Sequence, residues 1–335
     1  MNFRINSGKL TPPSELFKKN FQQSENTKPI LSGLGIKKDS TNFSPILKNN
    51  SNINNSFSIF NLIKPTQNNV STNSIFNSST SKIEGIPSRK SNAMTGSQFI
   101  EATKNMNRTE REKMILKEVT QGNIPDFMRN LKQISISIKD NNGISHTAKI
   151  SVMPDYIAIG SNNDFVRMPM SPITAQKIAD KTGTILPTKK MVDDIYKSSE
   201  VKLNPQPLPA GATMMSNQYY KKHNEMVENQ ISEKGVRQGQ LISGHQKDVV
   251  ITNRLDNKPT QVAIYGWHQK NGKPIQPLST VHENTYADYS HGVRLVSSTV
   301  IVDGKKMNIK DVLKDPNLSK LLSDEGAISN TRASR

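Results

Sequence analysis

Apolar and polar residues alternate without a break along Gln133-Ile134-Ser135-Ile136-Ser137-Ile138-Lys139. A period of two predicts a strand with one face buried. Asp140-Asn141-Asn142-Gly143 follows as a hairpin turn. The chain is then expected to return through residues 144–152 and to form a third strand over 156–160. Upstream the spacing is helical. One short helix is predicted over 97–106. A second follows from a Thr109–Glu112 capping box, with Met114, Ile115 and Val119 on its apolar face and Gly122 at its end. Pro125 opens a further turn through Leu131.

Two more helices are marked at their ends. Ser171-Pro172 places a cap before a proline at the first helical position, opening 173–182, and Gly183 closes it. Thr188 caps a helix over 189–199. Three prolines between Asn204 and Gly211 require an extended connector. Residues 217–234 read as a polar helix with Tyr220, Met226 and Ile231 on a sparse apolar face. From Gly239 the pattern returns to strands, over 241–243, 249–252, 262–267, 293–296 and 299–302. Asn271-Gly272 is a turn, and Asp303-Gly304 turns the chain into a strand over 305–309. Short helices around 311–313 and 318–322 close the pattern. Together these predict one α+β domain over 96–328, antiparallel sheets with flanking helices, followed by a loose tail over 329–335.

Residues 1–95 show neither period. Asparagine and serine dominate, and the first hundred residues hold 12 Lys/Arg against 4 Asp/Glu. Such a segment buries too little apolar surface to offset chain entropy, so it reads as a disordered basic arm. Short apolar islands interrupt it, with Pro-Ile-Leu at 29 and 45 and Ser-Ile-Phe-Asn at 58 and 74. They suit docking motifs for a partner, a strand-adding peptide or the leader of a translocated effector. The arm also accounts for a hydrophobic share of 33%, against about 45–50% in ordinary globular domains.

The net charge of +17 favours a polyanionic partner such as nucleic acid, anionic membrane or cell wall. There is no cysteine, which excludes disulfides, thiolate nucleophiles and cysteine zinc sites. No apolar run approaches the ~18–20 residues that span a bilayer. The first twenty residues lack the apolar stretch of a secretory signal, so a cytoplasmic location or export by a non-Sec route is expected.

The candidate chemistry lies between Gly244 and Arg294, where four of the six histidines and the only tryptophan fall. Groups that titrate or ligate near neutral pH are seldom packed so densely without purpose. His245, His282, Asp288 and His291 supply the imidazole and carboxylate donors that suit a divalent metal such as zinc in hydrolysis. A metal-free reading uses His245, Lys247 and Asp248 as base, electrophile and orienting carboxylate. It adds His291 beside Ser290, with Arg294 to hold a carboxylate or phosphate in a bidentate pair. Trp267 would stack on a sugar or base. There is no HExxH and no phosphate-cradling glycine loop, which argues against zincin proteolysis and nucleotide hydrolysis.

Six stretches, Pro154–Gly160, Leu186–Asp193, Gly244-His245-Gln246-Lys247-Asp248, Tyr265-Gly266-Trp267-His268, Pro274–Leu278 and Asp288-Tyr289-Ser290-His291-Gly292, resemble those of a family of uncharacterised bacterial proteins. The resemblance covers about residues 125–326. It implies one intact domain and no particular activity. The residues themselves point to a hydrolase, metal-dependent or not, directed at an amide or glycosidic bond of peptidoglycan. The alternatives are a non-enzymatic cargo or interaction protein docking through its arm, a nucleic-acid binder, or a nuclease using the same histidines.

Overall fold

The computed structural model describes residues 81–140 and 142–334. In chain order these form α1 (Gly96–Ala102), α2 (Arg108–Thr120), β1 (Lys132–Lys139), β2 (Ser145–Val152), β3 (Ala158–Gly160) and β4 (Phe165–Arg167). Next come α3 (Pro172–Thr182), β5 (Thr184–Ile185), α4 (Lys189–Ser198), β6 (Val201–Lys202) and α5 (Asn217–Glu233). The last are β7 (Ile242–Ser243), β8 (Lys247–Val249), β9 (Ile264–His268), β10 (Pro274–Ser279), β11 (His291–Gly292), β12 (Val296–Val302), β13 (Lys305–Asn308) and α6 (Ile309–Lys314). The fold is α+β, as the pattern predicts. Its two larger sheets run β1-β2-β12-β13, with β5 also on β12, and β10-β9-β8-β11. Pairing is antiparallel except for β11 on β8 and β6 on β7.

The alternating stretch forms β1, paired in register with β2 from Lys132↔Val152 to Lys139↔Ser145. The Asp140 carboxylate accepts the main-chain N–H groups of Asn142 and Ile144 inside the turn. Ser171 and Thr188 cap α3 and α4 as expected, and Gly183 sits in the left-handed region at φ +65°. The cap of α2 differs from the sequence expectation. Asn107 and Glu110 form the reciprocal capping box at 3.0 Å each way, so the helix starts before Thr109. Glu112 instead accepts from the main-chain and hydroxyl groups of Ser171.

Three strand expectations change as well. The segment 249–252 is mostly irregular, because β8 ends at Val249. The pair expected at 293–296 and 299–302 is one strand, β12, whose register on β2 shifts between Val296 and Val300. The unexpected β10 contains Pro274 and Pro277, and it is an edge strand, where a missing N–H costs no ladder bond.

One continuous core runs from Ile83 to Ala333. Both domain boundaries therefore move outward. Ile83 and Ile86 are buried, and Lys82 bridges Asn130, so chain expected in the arm belongs to the domain. At the other end Ala333 is buried and donates its N–H to Gln176, while Arg332 forks onto the Asp180 carboxylate. The tail expected to be loose is docked. The rest of the expected arm, with its four apolar islands, lies outside the described residues. Among the described residues no helix is long and apolar enough to cross a membrane.

Candidate functional site

The small β8–β11 ladder divides the candidate residues between two faces. His291 lies opposite Lys247, and Gly292 lies opposite Asp248. Successive side chains on a strand point to opposite faces, so Lys247 and His291 share one side and Asp248 and Gly292 the other.

On the Lys247 side the groups reach inward from the surface. Half-buried His282 stacks on half-buried Tyr286 at 4.2 Å between ring centroids. The Tyr286 ring lies edge-on to His291 at 5.6 Å, and its hydroxyl donates to Asp288 Oδ2 at 3.1 Å. Asp288 Oδ1 accepts both the N–H and the hydroxyl of Ser290, at 2.8 and 2.5 Å. Burial acts to raise the Asp288 carboxyl, but His291, Lys247 and the Ser290 bonds outweigh it and hold it at about 2. His291 Nε2 stands 3.9 Å from Asp288 Oδ2, beyond hydrogen-bond reach. Burial pushes the His291 imidazole down to about 4, so it is neutral near pH 7. Burial also lowers Lys247, against the pull of Asp288. The Lys247 ammonium lies over the Trp267 ring, 5.2 Å from its centroid.

On the Asp248 side the groups are more fully satisfied. The Tyr156 hydroxyl donates to Asp248 Oδ2 at 2.7 Å. Burial raises the Asp248 carboxyl to about 6, with Arg294 and the Tyr156 bond opposing. Arg294, expected to hold a substrate carboxylate or phosphate, is buried. Its guanidinium donates to the carbonyls of Met153 and Ile242 at 2.7 and 2.8 Å and lies 4.4 Å over Tyr156. With two of its nitrogens spent on main chain, it braces the fold and offers substrate no fork.

His245 belongs to a third group. Its Nε2 meets Asp155 Oδ1 at 3.0 Å, and its ring lies edge-on to Tyr156. Asp155 in turn is gripped by Arg167, with Nη2 to Oδ2 at 2.6 Å, and the Arg167 Nη1 also reaches Glu228 and Asn224. Burial opposes ionisation of Asp155, but Arg167 and His245 hold it far below the usual carboxylate range. The residues Asp155, Arg167 and Glu228 carry this network and were not singled out from sequence. Only Asp155 lay in a quoted motif.

The four proposed metal ligands are thus not gathered at one point. Among the described residues no three His, Asp or Glu side chains converge closely enough to hold a metal ion. His245 turns to Asp155, whereas His282, Asp288 and His291 share the Lys247 side.

A second feature marks the same region. Among the described residues, seven buried side-chain atoms without a hydrogen-bond partner lie on His223, His245, Gln246, Asp248, Trp267 and His291, both nitrogens of His291 among them. Buried polar atoms are ordinarily paired, and exceptions concentrate where chemistry or ligands require them. His223 was not anticipated. It projects from α5 into the aromatic layer, 5.2 Å from Tyr289 and 6.5 Å from Trp267, and burial pushes it down to about 3. Its spacing, three residues from Tyr220 and four from Val227, puts it on the buried face of the helix and is the signal that could have found it.

Comparison with protein-family models, with curated proteins and with solved structures finds no match.

Proposed function

We propose that this protein is a hydrolase that cleaves an amide bond in a polyanionic polymer, peptidoglycan foremost, at the Lys247–Asp288–His291 cluster. The supporting observation is His291, a buried imidazole with neither nitrogen hydrogen-bonded, beside an ionised carboxylate and a partly desolvated ammonium. His282 and Tyr286 lead to it from the surface. A neutral imidazole can take a proton from water as hydroxide adds to the carbonyl carbon, and later return it to the departing amine. The Lys247 charge suits the developing oxyanion. Asp288 keeps a negative charge beside the imidazolium that forms. The metal-free form is favoured because the metal donors do not converge. The net charge of +17 fits a polyanionic substrate and equally supports the second reading, a nuclease or nucleic-acid binder.

Purified sacculi and plasmid DNA, each incubated with the full chain, separate these readings. The expected result is soluble muropeptide release with new amino termini and intact plasmid. His291→Gln and Lys247→Met should each lower the rate at least ~100-fold with an unchanged circular dichroism spectrum, and a chelator should leave it unaltered. Equal release by wild type and His291→Gln removes the assignment. Cut plasmid with untouched sacculi selects the nuclease.

A further inference from the structure

Residues three apart on a regular strand face opposite ways, yet Tyr265 and His268 on β9 meet the same atom. The Tyr265 hydroxyl and the His268 Nε2 each lie 2.8 Å from Asp193 Oδ1 on α4. Their ring centroids are 5.7 Å apart. The cause is a left-handed kink between them, with φ +111° at Gly266 and +58° at Trp267. A side chain in that region costs on the order of 1 kcal/mol, so the rest of the fold must hold Trp267 there. The kink leaves Trp267 under Lys247 and turns both Tyr265 and His268 toward α4.

Between α4 and the β9–β10 hairpin lies a cleft of about 430 Å³, lined by Asp193, Tyr196, Tyr265, His268 and the lysines Lys197, Lys202 and Lys270. Asn271 and Gly272 form its rim, with Gly272 at φ +81°. Its single carboxylate is already answered. Asp193 Oδ1 takes the two bonds above, and Oδ2 is 3.7 Å from the Lys189 ammonium, which also pairs with Asp324. The His268 ring is fixed. It stacks on Tyr196 at 4.5 Å, and the Tyr196 hydroxyl is bonded to the Gln269 carbonyl. With the Nε2 proton directed at Asp193, Nδ1 of the neutral ring is a lone-pair acceptor, suited to the P–OH of a phosphate monoanion, and it bonds no described residue. Lys197 pairs with Asp194 at 3.6 Å. Lys202 donates to the Lys197 carbonyl and lies over Tyr196, without a carboxylate partner. Lys270 has none either among the described residues.

We propose that this cleft binds the phosphate of a small phosphomonoester, with His268, Lys202 and Lys270 as its partners. Mobile ammonium groups surround a phosphate as point charges, and a fixed imidazole sets its position. The volume leaves room beyond the phosphate for a body of nucleotide or glycerol size. The site is separate from the Lys247–Asp288–His291 cluster, so it stands or falls independently of the hydrolase reading.

Titration calorimetry of the full chain tests it with four probes: adenosine monophosphate, glycerol 3-phosphate, adenosine and glycerol. Both phosphates should bind and their neutral counterparts should not. The double variant Lys202→Gln/Lys270→Gln should weaken phosphate binding at least tenfold. The charge-matched control Lys181→Gln/Lys305→Gln, on exposed positions away from the cleft, should leave it unchanged. His268→Gln should also weaken binding, and the lysine pair, half-buried Lys202 and exposed Lys270, keeps the test decisive if that buried variant does not fold. Tighter binding of the nucleotide points to nucleotide ligands, tighter binding of glycerol 3-phosphate to lipid headgroups, and equal binding to the phosphate alone. The proposal is overturned if neutral probes bind equally well, if neither phosphate binds, or if the control pair loses as much as the cleft pair.

Discussion

The Lys247 ammonium rests 5.2 Å above the centre of the Trp267 ring and forms no ion pair within 4 Å among the described residues. Its charge is held by an aromatic face and by the more distant Asp288, the one group that raises its pKa against burial. Asp288→Asn should therefore lower the Lys247 pKa further. The pH dependence of reductive methylation at Lys247, read by mass spectrometry, checks this. An upward or absent change would show that Asp288 does not govern the lysine.

Asp248 carries an opposite signature. Burial raises its carboxyl to about 6 in the folded chain, against about 3.9 when unfolded. Between those values the native state binds a proton that the unfolded state has lost, so stability falls as pH rises. Two units correspond to about 3 kcal/mol. Urea unfolding between pH 4 and pH 8 should show wild type losing about that much relative to Asp248→Asn, which keeps an acceptor for Tyr156. The buried histidines, whose contribution rises with pH, are common to both and cancel in the difference.

Arg294 is a matter of stability rather than of substrate. Two bonds from a buried charged donor are worth about 1.5–3 kcal/mol each, and the contact with Tyr156 adds to them. Arg294→Lys cannot reach both the Met153 and Ile242 carbonyls. It should cost about 3 kcal/mol or more in denaturant unfolding, while the activity of the remaining folded protein is retained.

A surface tie gives a pH response of the same sign in a higher pH window. His146 Nδ1 meets Asp303 at 2.7 Å, and its Nε2 is 3.7 Å from Asp140, linking the β1–β2 turn to the β12–β13 turn. The Asp303 bond raises the His146 pKa, with burial opposing. A raised histidine stabilises fully below its unfolded value of ~6.5, and that stability is lost as pH climbs through the folded value. His146→Gln should therefore lower the melting temperature more at pH 5.5 than at pH 8.5. An equal loss at both would show that the tie carries no charge.

The legible elements were those with local causes. Ser171-Pro172, Thr188 and Gly183 fix the ends of α3 and α4 through their own backbone bonds and φ preference. The strict alternation of β1 leaves one burial solution. The short strands β4 to β6 carry too few residues for a period, and β10 carries prolines that only an edge position tolerates. The histidine-rich stretch marked the right region, but it could not divide that region. His245 lies in the bend that enters β8 and His291 on β11 paired to β8, yet one is drawn to Asp155 and the other to Asp288.

By itself the sequence determined the α+β class, the helix caps, the main hairpin and the concentration of ionisable groups in the C-terminal half, because each follows from contacts within a few residues. Tertiary structure alone decided which groups meet. The left-handed kink at Gly266 and Trp267 puts Tyr265 and His268 on one side, against the alternation their spacing implies. The parallel pairing of β8 with β11 sets His291 beside Lys247. Burial then shifts Asp248, Lys247 and His291 away from their ordinary titration. Desolvation depends on everything packed around a group, and its chain neighbours supply only a small part of that.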